Sequence, residues 1–215
     1  MKNLHLILIL LLFITNSCLK DVPEDFNNPE SEWNPSFSVP IGYTTLAMNE
    51  ESGFNMALFN DLDNSGFPDW IDEIDIPFNY SIPFNMSEIT PFSEQIVQIM
   101  FRINTYNGFP AIAKGQIYFQ DESFQIIDSA FVDGALSVGA GTIIGNGEEI
   151  HPTYLKRNIF IDGARLDKFL NVRNILIEGA IENLLLDTAL IDFYRNYTLD
   201  VQLGLQVELK LSLQQ

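Results

Sequence analysis

The chain has 215 residues, of which 47% are hydrophobic, so it is long enough to bury a substantial core. Its 29 acidic and 11 basic residues give a formal net charge of −18, which argues against nucleic acid and anionic membrane surfaces as partners. One cysteine and two histidines argue against intrachain disulfides and against a zinc site or catalytic triad built on several imidazoles.

The N-terminus has the pattern of an export signal. Lys2 supplies a positive charge, and Leu6–Ile14 is an unbroken apolar run that is too short to span a bilayer. Thr15–Ser17 and then Cys18, the sole cysteine, follow this run. The arrangement resembles the lipobox of bacterial lipoproteins, which implies a signal peptide over residues 1–17 and lipidation of Cys18. An ordinary secretory signal is the alternative.

Residues 18–35 are predicted to be a disordered tether behind the lipid anchor. They are rich in proline, asparagine and acidic residues and show no apolar period. Lys20, followed by Asp21 and Glu24, resembles the surface-export signal of Bacteroidota lipoproteins. The resemblance implies an outer-membrane lipoprotein that faces either the periplasm or the cell surface. A merely charged tether is the alternative.

Beyond the tether the dominant hydrophobic period is two, which indicates strands with one buried face. Ser36–Ala47 is the first predicted strand, and Pro40 favours an edge position or a kink there. The turn signal at Asn107–Pro110 predicts an antiparallel meander. Further strands are predicted at 97–103, 116–120, 124–131, 158–162 and 174–181, with a short helix at 165–171. Strict alternation over 199–213 predicts one very long strand, or two that are joined by a bend at Gly204.

The segment DLDNSGFPDWID places oxygen-bearing groups at the spacing of a calcium loop. It resembles a thrombospondin type 3 repeat, with Ser65 in place of an acid, whereas Pro68 argues against an EF-hand. The predicted ligands of a structural calcium ion are Asp61, Asp63, Ser65, the Phe67 carbonyl, Asp69 and Asp72. Asp75 extends the loop. A solvated acidic turn is the alternative.

Motifs that would indicate catalysis are missing from the sequence. The glycine-rich segment Gly134–Gly147 is no phosphate loop and predicts a strand and loop with close backbone approach. There is no GxSxG or HExxH motif, and His151 is expected to be a solvated loop histidine. No carboxylate pair is singled out. Four aromatic residues are candidates for stacking on a sugar, although core packing is the commoner role: Trp33, Trp70, Tyr80 and Tyr194.

These patterns predict a mainly β protein, an antiparallel β-sandwich over 36–215 with at most one or two short helices and a sub-boundary near 88–91. The predicted function is a non-catalytic, lipid-anchored envelope module for binding, adhesion or assembly, with a glycan or protein partner and calcium as a stabilising ion. The alternatives are a carbohydrate-active hydrolase that uses a carboxylate pair and a structural accessory subunit of an envelope complex.

Overall fold

The computed structural model describes residues 32–47, 73–86, 90–185, 190 and 193–212. The strands within these residues are β1 Glu32–Trp33, β2 Ser36–Ala47, β3 Glu73–Pro83, β4 Ile96–Asn107, β5 Ile112–Gln120, β6 Ile126–Ser129, β7 Leu136–Val138, β8 Thr142–Ile144, β9 Glu149–His151, β10 Thr153–Ile161, β11 Asn174–Leu185, β12 Thr198–Leu209 and β13 Leu211–Ser212. One α-helix, α1, spans Gly163–Phe169, and 3-10 helices lie at Thr90–Gln95 and Tyr194–Asn196.

Two antiparallel sheets form the two layers of the fold. Sheet I has the strand order β10-β4-β12-β2, and sheet II has the order β3-β11-β5-β6, with β7 also paired to β5. Two short ribbons, β1-β13 and β8-β9, lie outside these sheets. The prediction of a mainly β antiparallel sandwich with at most one or two short helices is therefore confirmed for the described residues.

The alternation of residue types in β12 sets its two faces. Its buried side chains face sheet II, and they are Leu199, Val201, Leu203, Leu205 and Val207. The strand continues through Gly204 without a break, so the long-strand prediction holds as far as Leu209. The irregularity lies in β2, where Leu203 is paired with Gly42 but Gly204 with Pro40, which leaves Ile41 as a bulge.

Aromatic side chains join the two layers and the helix. The ring of Phe101 from sheet I meets the ring of Phe119 from sheet II edge to face, with centroids 5.2 Å apart. Phe169 of α1 packs against Phe119 at 4.9 Å. Tyr197 is fully buried, and its hydroxyl donates to the Gly147 carbonyl at 2.9 Å. Desolvation in this environment raises the pKa of Tyr197.

The turn after β4 carries the chain from sheet I to sheet II, so the predicted meander is wrong at this point. Asn107 is fully buried and uses its whole amide: Nδ2 donates to the Ala111 and Gly139 carbonyls at 2.7 and 2.9 Å, and Oδ1 accepts from Phe109 N–H at 3.0 Å. A Cβ on Gly141 would lie 2.9 Å from the Asn107 carbonyl oxygen. The close backbone approach predicted for the glycine-rich segment is thus present.

The edge strand β3 was not anticipated by the sequence analysis. Its apolar residues alternate, but Pro77 and Pro83, which have no backbone N–H group, disguise the strand. An edge strand tolerates this because one side of it has no partner, and β3 pairs only with β11 within the described chain. Pro40 has the same explanation in β2, where the predicted edge position is confirmed.

The described fold begins within the predicted tether. β1 falls inside residues 18–35, and residues 18–31 lie outside the described part of the chain, as does the predicted signal peptide. Strands from both sides of residues 88–91 share the two sheets, because β2 pairs with β12 and β3 pairs with β11. In the described residues no helix has the length and apolar character that crossing a membrane requires.

Candidate functional site

The residues predicted to carry lipid and calcium, Cys18 and the 61–72 loop, lie outside the described residues. Asp75, expected to extend the loop, instead accepts a hydrogen bond from the Asn183 backbone amide at 2.8 Å. Among the residues that the structure describes, no three His, Cys, Asp or Glu side chains come together to hold a metal ion. His151 is exposed on β9, as a solvated histidine would be. Calcium binding by the loop therefore stays a prediction.

The four aromatic residues suggested for sugar stacking do not form a common site. Tyr194 is 1% exposed and belongs to the core. Tyr80 is half-buried on the inner side of β3, where desolvation raises its pKa. Trp70 and the side chain of Trp33 lie outside the described part of the structure. The two that are described are packing residues, and a binding surface has to be sought elsewhere.

Several aromatic side chains lie on the outer face of sheet I. Tyr154 of β10 is paired with Tyr106 of β4, and their ring centroids are 4.8 Å apart. Tyr43 of β2 is 79% exposed and Phe160 of β10 is 54% exposed. All four stand on the solvent side of their strands, so core packing does not explain them. We call this surface, which the outward residues of β10, β4, β12 and β2 form, the aromatic face.

The centre of the aromatic face is hollow. Gly204 lies in the middle of β12, paired with Arg102 of β4 on one side and Pro40 of β2 on the other. Because Gly204 has no side chain, a cavity of about 420 Å³ opens at this point, a volume typical of small-molecule sites. The side chains round it include Tyr43, Met100, Arg102, Asn104, Gln202 and Gln206.

The fold itself does not require a glycine at position 204. Gly204 has no positive φ, and a Cβ built on it would meet only the Val39 carbonyl oxygen, at 3.9 Å. By contrast, a Cβ on Gly179 would lie 2.5 Å from Phe78 Cζ and 2.8 Å from Gly115 Cα. A glycine inside a strand weakens it and often marks a place where a ligand approaches the backbone. Gly204 is therefore the floor of the candidate site.

Hydrogen bonds hold the polar side chains around the hollow. The Tyr154 hydroxyl donates to Asn104 Oδ1 at 2.9 Å, and Arg102 Nε donates to Asn158 Oδ1 at 3.2 Å. The Nη groups of Arg102 have no hydrogen-bond partner among the described residues. The site therefore offers fixed rings, amide donors and acceptors, and a guanidinium group with free donors.

Positive charge lies near the centre of the aromatic face and negative charge at its ends. Arg102 and Lys156 form no ion pair with a carboxylate in the part of the chain that the structure describes. The carboxylates Asp200 and Glu208 lie on β12, each four residues from Gly204. At a rise of about 3.4 Å per residue, each is about 14 Å from the centre.

The outer face of sheet II has the opposite character. Its charged side chains are the four carboxylates of Glu73, Asp75, Glu178 and Glu182, together with Lys114. Lys114 Nζ lies 3.5 Å from Glu182 Oε1, so this cation is paired. The two faces of the sandwich thus differ in charge as well as in aromatic content.

A second cavity, of about 660 Å³, lies beside the turn between β5 and β6. Its lining includes one aromatic ring, Phe124, which is 66% exposed with φ +59°. The Asp121 carboxylate accepts hydrogen bonds from the Ser123 and Gln125 amides at 2.8 and 3.0 Å, which accounts for the shape of the turn. The lining also contains Glu122 and Arg173, and Arg173 Nη1 donates to the Leu170 and Val172 carbonyls at 3.1 and 2.8 Å. This cavity therefore differs from the hollow over Gly204 in having carboxylates and an engaged guanidinium group.

The residues of the aromatic face were not predicted from the sequence. Tyr154, Phe160 and Arg102 each occupy a position where their amphipathic strand should be polar and exposed. Large rings on the solvent side of such a strand are a signal that could have marked the first two. Nothing in the sequence alone brings Tyr43, which lies more than a hundred residues away from Tyr154, to the same surface.

No protein-family model matches the chain, and no curated protein matches it. Among solved structures, a Parabacteroides distasonis protein described as secreted has 12% identity and a TM-score of 0.46, covering 63% of this chain and 38% of that one. An infectious bursal disease virus particle protein has 9% identity and a TM-score of 0.34, and the match covers 89% of this chain and 36% of that one. The enzymatically active domain of tailspike protein 4 from bacteriophage CBA120 has 8% identity and a TM-score of 0.33, and the match covers 85% of this chain and 20% of that one. The chain spans well under half the length of these three, and no function follows from likeness at these values.

Proposed function

We propose that this protein is a non-catalytic binding module that holds a carbohydrate on its aromatic face. The hollow over Gly204 carries the proposal, because the Tyr43 ring, three amide side chains and the Arg102 guanidinium group line a cavity of about 420 Å³. Sugar rings have apolar C–H faces and hydroxyl edges. Aromatic side chains pack against the former, and amide and guanidinium groups bind the latter. Tyr43 lines the hollow and is placed for such a contact, whereas the Tyr106–Tyr154 pair lies about 14 Å further along β4, in register with Asp200.

The position of the strands also favours a ligand that is held by side chains. β4 and β12 are the two central strands of sheet I, so both edges of each backbone are engaged in ladders. A partner chain could not add a strand over the hollow, since strand addition needs a free sheet edge. Recognition at this place has to use the outward side chains and the space over Gly204.

The chemistry of the lining favours binding over hydrolysis. Glycoside hydrolysis requires two carboxyl groups, roughly 5–10 Å apart, on either side of the scissile bond. The lining of the hollow contains no Asp or Glu. Asp200 and Glu208, the carboxylates of this face, are eight residues apart on β12 and hence about 27 Å from each other.

We place the module in the outer membrane, facing the periplasm or the cell surface, with a lipid anchor at Cys18. The apolar run before this cysteine and the tether behind it support that location. A tethered domain can search for an extended ligand while it stays attached to the membrane. Calcium held by residues 61–72 would stabilise the domain without taking part in ligand binding.

The test is affinity electrophoresis of the full-length protein, purified in detergent, through gels that contain neutral or acidic polysaccharides. We expect at least one polymer to retard it. Tyr43→Ala should weaken that binding about tenfold, because an exposed aromatic anchor is lost. Phe124→Ala removes an equally exposed ring outside the aromatic face and should bind like the wild type.

Three results would contradict this function. The first is free migration in every polysaccharide, and the second is unchanged binding by Tyr43→Ala. The third is shortening of the bound polymer during incubation, which would indicate the hydrolase. A stoichiometric envelope protein that co-purifies with the wild type but not with Tyr43→Ala would indicate an accessory subunit instead.

A further inference from the structure

We propose that the carbohydrate held by the aromatic face carries a carboxylate, so that the site recognises an acidic sugar. The inference rests on the proposed function and names its ligand class. The central observation is Arg102, which lines the hollow with its Nη groups unpartnered among the described residues. A guanidinium group with free donors binds a carboxylate through two parallel hydrogen bonds, which neutral hydroxyls cannot match.

The orientation of Arg102 is fixed before a ligand arrives. Its Nε donates to Asn158 Oδ1 at 3.2 Å, and Asn158 is its register partner on β10. This contact uses Nε and leaves the Nη groups without a hydrogen-bond partner among the described residues. Because the Arg102 side chain has already lost part of its rotamer freedom, it loses less conformational entropy when the ligand binds.

Lys156 adds a second cation within reach of the same ligand. It is paired with Asn104, and Arg102 with Asn158, so the two cations occupy diagonal positions on neighbouring strands. Diagonal neighbours on one face are about 7 Å apart, which long side chains can span. Lys114 and Arg165 are paired with carboxylates at 3.5 and 2.8 Å, whereas Arg102 and Lys156, like four other cations of the described chain, form no ion pair. What distinguishes Arg102 is its position in the lining of the hollow.

The net charge of −18 does not prevent an acidic sugar from binding here. At physiological ionic strength, charges are screened beyond about 8 Å. The carboxylates of the aromatic face, Asp200 and Glu208, are about 14 Å from Gly204, and the outer face of sheet II lies on the far side of the sandwich. A carboxylate over Gly204 would thus experience chiefly Arg102, the register partner of Gly204.

The experiment compares two polymers that differ only in charge, polygalacturonate and its fully methyl-esterified form, with the full-length protein in 0.15 M salt. We expect polygalacturonate to bind at least tenfold more tightly. Arg102→Gln should lose about tenfold in affinity for it and lose less for the ester, because the ester can accept only neutral hydrogen bonds from Arg102. Arg102→Lys should be intermediate, because it keeps the charge but loses the planar fork. Lys114→Gln removes the same charge from the other face and should have no effect.

The outcomes separate this inference from the function on which it rests. Equal binding of both polymers, or tighter binding of a neutral polysaccharide, overturns the acidic ligand and leaves the carbohydrate function standing. Dextran sulfate bound as tightly as polygalacturonate overturns it as well, since any polyanion would then be held. If no acidic or neutral polysaccharide binds, both proposals fail. Thermal melting of Arg102→Gln, expected to match the wild type, confirms that a loss of affinity is not a loss of fold.

Discussion

Filling the hollow at position 204 should separate folding from binding. In Gly204→Ala the new methyl group would meet only the Val39 carbonyl oxygen, at 3.9 Å, which is an ordinary contact. Replacing a strand glycine by alanine without strain stabilises a protein by about 0.5–1 kcal/mol, because the unfolded chain loses freedom. For a chain of this size, that corresponds to a rise in Tm of about 1–4 °C. Gly204→Val should be at least as stable, since valine favours strands.

The same substitution should abolish ligand binding. The valine side chain would occupy the floor of a cavity of about 420 Å³ and hold a sugar ring away from the strand. Melting followed by circular dichroism, and affinity electrophoresis on the same samples, would give both quantities. The control is Gly179→Ala, whose methyl group would lie 2.5 Å from Phe78 Cζ and 2.8 Å from Gly115 Cα. Overpacking of this kind typically destabilises by about 1–3 kcal/mol, so its Tm should fall.

The reasoning about Gly204 is refuted by either of two results. If Gly204→Ala destabilises the protein as much as Gly179→Ala does, the fold needs this glycine, and the bulge at Ile41 would be the reason. If Gly204→Val still binds every ligand of the wild type with unchanged affinity, no ligand approaches the strand there.

Three further predictions concern stability. Asn107→Ala should lower the free energy of unfolding by about 3 kcal/mol or more in urea titrations, because the amide that satisfies three buried backbone groups is removed; a change below about 1 kcal/mol would contradict this. Burial raises the pKa of Tyr197, so stability should be level below the ordinary tyrosine pKa of about 10 and fall as the pH rises above it. Tyr197→Phe should flatten this alkaline decline, and an unchanged slope would count against the assignment. Millimolar calcium should raise the Tm by about 4 °C, and the double variant Asp61→Ala, Asp63→Ala should remove this rise. If calcium does not change the Tm of the wild type, the loop is a solvated acidic turn.

Strands with one buried face could be predicted from the sequence, whereas an edge strand that contains prolines could not. β12 alternates strictly because its inner side chains fill the core while its outer ones meet solvent. β3 alternates too, but Pro77 and Pro83 read as loop residues until its edge position is known. The turn at Asn107 was predicted, whereas its direction was not, because a buried amide rather than hairpin geometry sets it.

The candidate site was beyond sequence reasoning because four distant segments build it. The sequence predicts a bend at Gly204 as one alternative, whereas the irregularity lies opposite it, in β2. Arg102 is one of several cations in the chain, and only its neighbours distinguish it: a glycine beside it, an amide that orients it, and carboxylates kept at a distance. These relations depend on strand order and register, which local pattern does not specify.

The central position of β12 determines when the protein can fold. β2 and β4 have no ladder to each other, and each pairs with β12, which is made more than ninety residues after β4. Until residues 198–209 have left the ribosome, half of sheet I lacks its template, so pairing must await a late and non-local partner. Sheet I can therefore be completed only near the end of synthesis, after the strands of sheet II are already available to pair.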